Sequence, residues 1–149
     1  MAKKTEEKPE VKKSKTFKKD YIPTVGRRRE AVARVRLYPK GSGAIPVNAK
    51  PIEEYFRGEV NKVAYMTPFV ITDTVNKLDT TVKVAGGGPS GQLGAVVHGI
   101  ARAIEKFDKE KYRPLLKKKG LLTRDSRTRE RRKVGMGGKA RRKKQSPKR

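Results

Sequence analysis

Apolar positions between residues 29 and 107 fall into periodic runs, and on either side of that span they thin out. From Arg29 to Leu37 they alternate, with Ala31, Ala33, Val35 and Leu37 on one face and Glu30, Val32, Arg34 and Arg36 on the other. A period of two predicts a half-buried strand whose second face is partly basic. The turn cluster Pro39-Lys40-Gly41-Ser42-Gly43 leads to Ala44–Val47, so these two runs are expected to pair as a hairpin, with Pro46 marking an edge. Pro51 followed by Ile52, Tyr55 and Phe56 predicts a helix of one or two turns. Residues 59–67 fit a further short helix only ambiguously and are closed by Pro68. Phe69–Thr72 and Leu78–Ala85 are rich in β-branched residues and flank Asp73–Lys77, which reads as a second hairpin.

The clearest helix follows. Leu93, Val96, Val97, Ile100, Ile104 and Phe107 form one apolar stripe at helical spacing, while His98, Arg102, Glu105 and Lys106 lie opposite. Strands packed on one long helix predict an α+β body, a small two-layer sandwich. Gly94, Ala95 and Gly99 leave the non-stripe side small. That side has no evident partner in the sequence and would admit close approach of another surface, RNA being a candidate.

Charge changes this picture. The 149 residues carry 40 Lys plus Arg against 15 Asp plus Glu, a net charge of +25. Residues 1–20 hold +4, residues 21–116 hold +7 and residues 117–149 hold +14. These pieces are read as a disordered basic N-terminal extension, a folded body and an extended basic tail ordered by what it binds. Sustained like charge favours a polyanion, because phosphates release counterions when Lys and Arg neutralise them. A membrane surface would want aromatic or leucine side chains interleaved with the charge, and residues 123–149 have neither. No run is apolar enough to span a bilayer or act as a secretion signal. The absence of Cys removes thiol chemistry, and the single His98 leaves no His pair for metal or proton relay.

One motif invites an enzymatic reading. Gly86, Gly88 and Gly91 follow a predicted strand and open a helix, which formally matches a dinucleotide fingerprint. That fold needs a further parallel strand ending in an acidic residue. Here Asp108–Pro114 and then the basic tail follow instead. The glycines are better read as a tight strand-to-helix turn, whose free N–H groups at the helix start suit a nucleic-acid phosphate. His98 is expected on the polar helix face rather than in catalysis, since no orienting partner or nucleophile accompanies it. A DNA-compacting protein would need a helix or ribbon placed for a groove, and none is evident.

Several ordered motifs together resemble the bacterial type of small-subunit ribosomal protein nine. They are Gly86-Gly87-Gly88-Pro89-Ser90-Gly91-Gln92 with Gly94-Ala95 and Gly99–Ile104, the strand Gly26–Val35, Gly41-Ser42-Gly43, Val47-Asn48, and Tyr55-Phe56. Gly120–Asp125 and Lys139-Ala140-Arg141-Arg142 match its tail, which ends in Lys148-Arg149. One departure is Gln145-Ser146-Pro147, where the family usually places an aromatic after the glutamine.

The resemblance implies a fold like the second domain of ribosomal protein five, with a βαβ crossover of the unusual left hand. It implies a non-enzymatic, cytoplasmic ribosomal protein in the head of the small subunit. It would have no cofactor, metal or small-molecule substrate, and would sit on ribosomal RNA beside neighbouring head proteins. Candidate ribosomal-RNA contacts are Arg27, Arg28, Arg29, Arg34 and Arg36 on the first strand, and Gly86, Gly87, Gly88 and Gln92 at the glycine loop. His98 and Arg102 on the long helix join them. In the tail they are Lys117, Lys118, Lys119, Arg124, Arg127, Arg131, Arg132, Lys133, Lys139, Arg141, Arg142 and Lys143. Lys148 and Arg149 are the implied contacts to tRNA in the peptidyl site.

Overall fold

The computed structural model describes residues 21–134. The expectations for residues 1–20 and for the tail beyond Val134 lie outside the described residues. A five-stranded mixed sheet packs against helices, the α+β architecture expected. Its strands are β1 (Ile22–Arg28), β2 (Ala31–Tyr38), β3 (Pro46–Val47), β4 (Lys50–Pro51) and β5 (Asp79–Ala85), in the order β1-β2-β5-β3-β4. β2 is antiparallel to both β1 and β5, while the short β3 runs parallel to β5. The helices are α1 (Ile52–Tyr55), α2 (Glu59–Ile71), α3 (Pro89–Phe107) and α4 (Lys109–Lys118).

The alternation in β2 holds as read: Ala31, Ala33, Val35 and Leu37 are buried, while Arg34 and Arg36 are exposed. Its hairpin partner is different. β2 pairs with β1 through a two-residue turn, Gly26 opposite Ala33, rather than with Ala44–Val47. The signal in β1 is faint because its inward positions include Thr24 and Gly26 instead of large apolar groups. Helix α3 passes so close that a Cβ on Gly26 would lie 1.9 Å from the Ala95 carbonyl oxygen. Only glycine fits, so packing itself erased the hydrophobic pattern. Pro46 correspondingly opens β3, an inner strand between β5 and β4, and does not mark an edge.

The second predicted hairpin is also absent. Phe69–Ile71 finish α2, which runs through Pro68, and β5 pairs with β2 instead. Burial of Tyr65, Pro68 and Phe69 outweighs the β propensity of the last turn. The helix closes with Asp73 at φ 52° and Thr74 N–H donating to the Phe69 carbonyl, a Schellman-type end.

Helix α3 buries Val96, Ile100 and Ile104, each contributing roughly 1.5–3 kcal/mol by removal from water. Phe107, at the end of the predicted stripe, is partly exposed and stacks on Tyr112 instead. The small side of α3 is covered by β1 and is not open to another surface. Ala95 and Gly99 are buried against β1, Gly94 lies under the Arg28 side chain, and the Thr24 hydroxyl donates to the Gly99 carbonyl at 2.9 Å. Helix α4, capped by Asp108 accepting from Lys111 N–H, extends the core with Tyr112 and Leu116.

Candidate nucleic-acid interface

Two basic surfaces meet along β1. The first is a cleft at the seam between β1, α3 and the segment after α4, and its position follows from local chain chemistry. Just past the end of α4 stands Gly120, whose φ of 70° lets Leu121 N–H donate back to the Leu116 carbonyl at 3.1 Å. That reversal turns Leu121 and Leu122 onto the core and delivers Arg124 to the seam. Val25, Arg27, His98, Arg102 and Arg124 line a cleft of about 220 Å³. Three of the five are arginines and none is acidic. The volume falls below the roughly 300–1,000 Å³ of small-molecule sites and suits a compact anion such as a phosphodiester.

His98 organises this cleft. Its Nδ1 accepts the Arg27 backbone N–H at 3.4 Å, which leaves Nε2–H to donate to the Leu122 carbonyl at 3.3 Å. Both nitrogens are therefore used by the neutral ring. Burial pushes the imidazole pKa below 6.5, opposed by the bond to Leu122 and aided by the charges of Arg102 and Arg124. The histidine is a brace holding three segments together, and the arginines supply the charge. The Arg102 guanidinium also donates to the Val25 carbonyl, which fixes it at the cleft wall.

The second surface is the sheet face opposite α3. Arg34 lies opposite Lys83, and Arg36 stands over the Tyr21 ring at 5.0 Å. Both arginines and Lys83 are exposed. Arg27 sits on the same face of β1 and joins this surface to the cleft. Lys83 is the residue that sequence reasoning missed; its alternation with buried Val82 and Val84 would have revealed it.

The remaining predicted residues divide. Arg29, at φ 51°, forms the tip of the β1–β2 hairpin. The glycine loop packs beside that tip, because a Cβ on Gly86 would meet the Glu30 carbonyl at 2.5 Å. Gly87 lies against Ala31, and Gly88 opens α3 with free space around it and no side-chain cap. Pro89 takes the first helical position and brings no N–H, so the helix start offers the N–H groups of Ser90 and Gly91. Gln92 is spent internally: its Oε1 accepts from the Tyr55 hydroxyl at 2.9 Å and its Nε2 donates to the Gly86 carbonyl at 3.2 Å. Asn48 extends that chain, bonding the backbone of Val84 on both sides and the Tyr55 hydroxyl. Asn48, Tyr55 and Gln92 therefore hold the glycine loop from behind.

Arg28 pairs with Asp125 at 2.8 Å, and Arg127 grips the same carboxylate. Asp125 is held well below the usual carboxylate range, chiefly by hydrogen bonds from Arg127 and further by the charge of Arg28. Arg28 is thus a clasp that ties the start of the tail to the body. Lys117 and Lys118 close α4, where positive charge suits the helix C-terminus, and Lys119 caps it. Arg131, Arg132 and Lys133 are exposed, with Lys133 3.4 Å from Glu130. Lys139, Arg141, Arg142, Lys143, Lys148 and Arg149 lie outside the described residues. Among the described residues no His, Cys, Asp or Glu cluster is placed to hold a metal ion, and no helix is long and apolar enough to cross a membrane.

Comparison with known proteins supplies the rest. The profile of the family described as ribosomal protein S9/S16 matches residues 26–149. The chain is 52% identical over 115 residues to the small ribosomal subunit protein uS9 of Anaeromyxobacter sp. (strain K), covering 77% of this chain and 87% of that protein. It is 50% identical over 119 residues to the uS9 of Dehalococcoides mccartyi (strain CBDB1), covering 80% and 89%. Against the uS9 of Syntrophobacter fumaroxidans it is 52% identical over 110 residues, covering 74% and 83%.

Proposed function

The chain belongs to the ribosomal protein S9/S16 family, and we propose that it serves there by clamping ribosomal RNA with its body and threading RNA with its tail. It is a structural component of the small ribosomal subunit and not an enzyme. The observation that carries the finer reading is the acid-free cleft of Arg27, Arg102 and Arg124 running into the open face of Arg34, Arg36 and Lys83. A phosphate seated in the cleft would meet guanidinium groups able to grip two oxygens at once. The next phosphates along the strand would then lie over the sheet face. The glycine loop and the start of α3 add backbone N–H donors beside Ala31, at the same end of β2 as the cleft.

Division of labour follows from charge. The body fixes position together with the end of α4 and the Leu121–Leu122 reversal packed on it, and the basic segment from Thr123 onward enters crevices too narrow for a domain. Its beginning is held against the body by the Arg28–Asp125 pair. In the head of the subunit, neighbouring proteins and ribosomal RNA surround the body, and Lys148 and Arg149 reach the tRNA in the peptidyl site. The β3-to-β5 parallel connection through α1 and α2 is the crossover that we assign the left hand, as in the second domain of ribosomal protein five.

The test is the salt dependence of binding to small-subunit ribosomal RNA. Arg102→Ala and Arg124→Ala should each flatten the slope of log affinity against log salt by roughly 0.7–0.9. Unchanged slopes would remove the cleft from the interface. Cutting the chain after Pro147 should leave RNA affinity nearly intact and speed dissociation of every tRNA from the peptidyl site alike, since phosphate contacts do not read sequence. An effect on one tRNA alone, or none, would refute the terminal contact.

A further inference from the structure

The sheet face opposite α3 separates its chemistry along β2. At one level Arg34 stands directly opposite Lys83. Like charges paired across two strands repel, and an anion seated between them removes the repulsion. Two residues on, the cross-strand neighbour of Arg36 is the neutral Thr81, and the guanidinium stands over the Tyr21 ring at 5.0 Å. Tyr21, 37% exposed, is backed in turn by the buried Tyr38, ring centres 5.9 Å apart. Among the described residues no ion pair involves Arg36. The carboxylate at this end of the face, that of Asp79 opposite Tyr38, accepts from the Ser42 and Ala44 N–H groups at 2.8 and 2.9 Å. It is therefore spent on its own loop.

The two levels match the two halves of a nucleotide. Arg34 and Lys83 offer charge to a phosphate. Arg36 offers a plane as well as a charge, and a guanidinium laid over one aromatic ring can take a base on its exposed side. Such stacking tolerates any sequence, because every base has a π-face. Two residues along a strand separate the levels by about 6.6–6.8 Å, within the reach of a single nucleotide from its phosphate across the ribose to its base. Inside a duplex both faces of a base are covered by its neighbours. Only an unpaired base has a face to give.

We propose that this face holds one unpaired nucleotide of the ribosomal RNA, its phosphate between Arg34 and Lys83 and its base stacked on Arg36, with Tyr21 behind. This rests on the reading of the body as an RNA clamp in the small subunit, and it gives that clamp a preference for single-stranded RNA.

The experiment uses purified small subunits containing the full chain. Azidophenylalanine at position 21 keeps an aromatic ring there and, on irradiation, should label one nucleotide of the ribosomal RNA. Probing of the parent subunits with dimethyl sulfate and carbodiimide should show that nucleotide unpaired. Arg36→Lys keeps the charge and loses the plane. With circular dichroism unchanged, it should raise 2′-hydroxyl acylation of the same nucleotide at least about fivefold, the low end of what one base–aromatic stack contributes. Tyr21→Phe should leave the acylation unchanged. Labelling of a paired nucleotide, of another protein or of the chain itself would overturn the proposal. So would silence at position 21, or a smaller rise in Arg36→Lys. Failure of the chain to enter subunits at all would overturn the functional reading itself, and this proposal with it.

Discussion

Gly26→Ala is the substitution that most directly tests how the body is built. A Cβ at this position would lie 1.9 Å from the Ala95 carbonyl oxygen, 2.4 Å from the Gly99 nitrogen and 2.7 Å from the Gly99 Cα. All three are backbone atoms of α3, so no side chain can swing aside. The helix must retreat from β1 by at least about 1 Å in an interior packed to crystal density. Overpacking of this kind costs roughly 1–3 kcal/mol, occasionally more. The retreat also strains the Thr24 hydroxyl bond to Gly99 and the Arg27 N–H bond to His98, each worth about 1 kcal/mol. A total of about 3–5 kcal/mol corresponds to a fall in Tm of roughly 10–30 °C for a body of this size. Thermal melting of the full chain by circular dichroism measures it. Gly88→Ala, where a Cβ meets nothing within 4 Å, is the control and should cost no more than a weakened helix start. A Tm for Gly26→Ala within about 2 °C of the parent would refute the close-approach argument.

Three further predictions test other parts of the structure. Ile100→Ala removes a side chain with no solvent exposure and should cost about 2–5 kcal/mol in denaturant unfolding; a loss under 1 kcal/mol would mean that α3 does not anchor the core. His98 is the only histidine, so its NMR titration is unambiguous. The folded ring should be the Nε2–H form and titrate below 6.5, whereas a value at or above that would contradict the brace. Because the folded pKa is lowered, the unfolded chain takes up the proton first, so the His98 contribution to stability is present above about pH 6.5 and fades as pH falls through it. The Asp125 carboxyl is likewise depressed, so the clasp to Arg28 and Arg127 persists above the ordinary value of 3.8 and weakens only on further acidification. Hydrogen exchange of Arg127 N–H, bonded to Asp125, should show faster opening in Asp125→Asn, and equal rates would remove the clasp.

Much of the site could be read from local pattern. Alternation placed Arg34 and Arg36 on an exposed sheet face, and the helical stripe placed Arg102 on an exposed one, whereas His98, expected on the polar surface, is half-buried between β1 and the segment after α4. Both are short-range periodicities, set by the two-residue repeat of a strand and the 3.6-residue repeat of a helix. The sequence by itself therefore determined the α+β class, the buried faces of β2 and α3 and the excess of positive charge. What it left open depended on contacts between residues far apart in the chain. Gly26 and Gly99 are separated by 73 positions, yet each is small because of the other, and that mutual fit removed the apolar signal that would have announced β1. Phe69–Ile71 carry β-branched and aromatic side chains and still form helix, because packing against the core decides between two local preferences of similar strength. The cleft arises the same way. Arg27, Arg102 and Arg124 come from three separate elements, and only the reversal at Gly120 and the two hydrogen bonds of His98 bring them to one seam. Local pattern fixes which face of an element meets water, but the free energy that selects its neighbour is shared among side chains that become close only once the chain has folded.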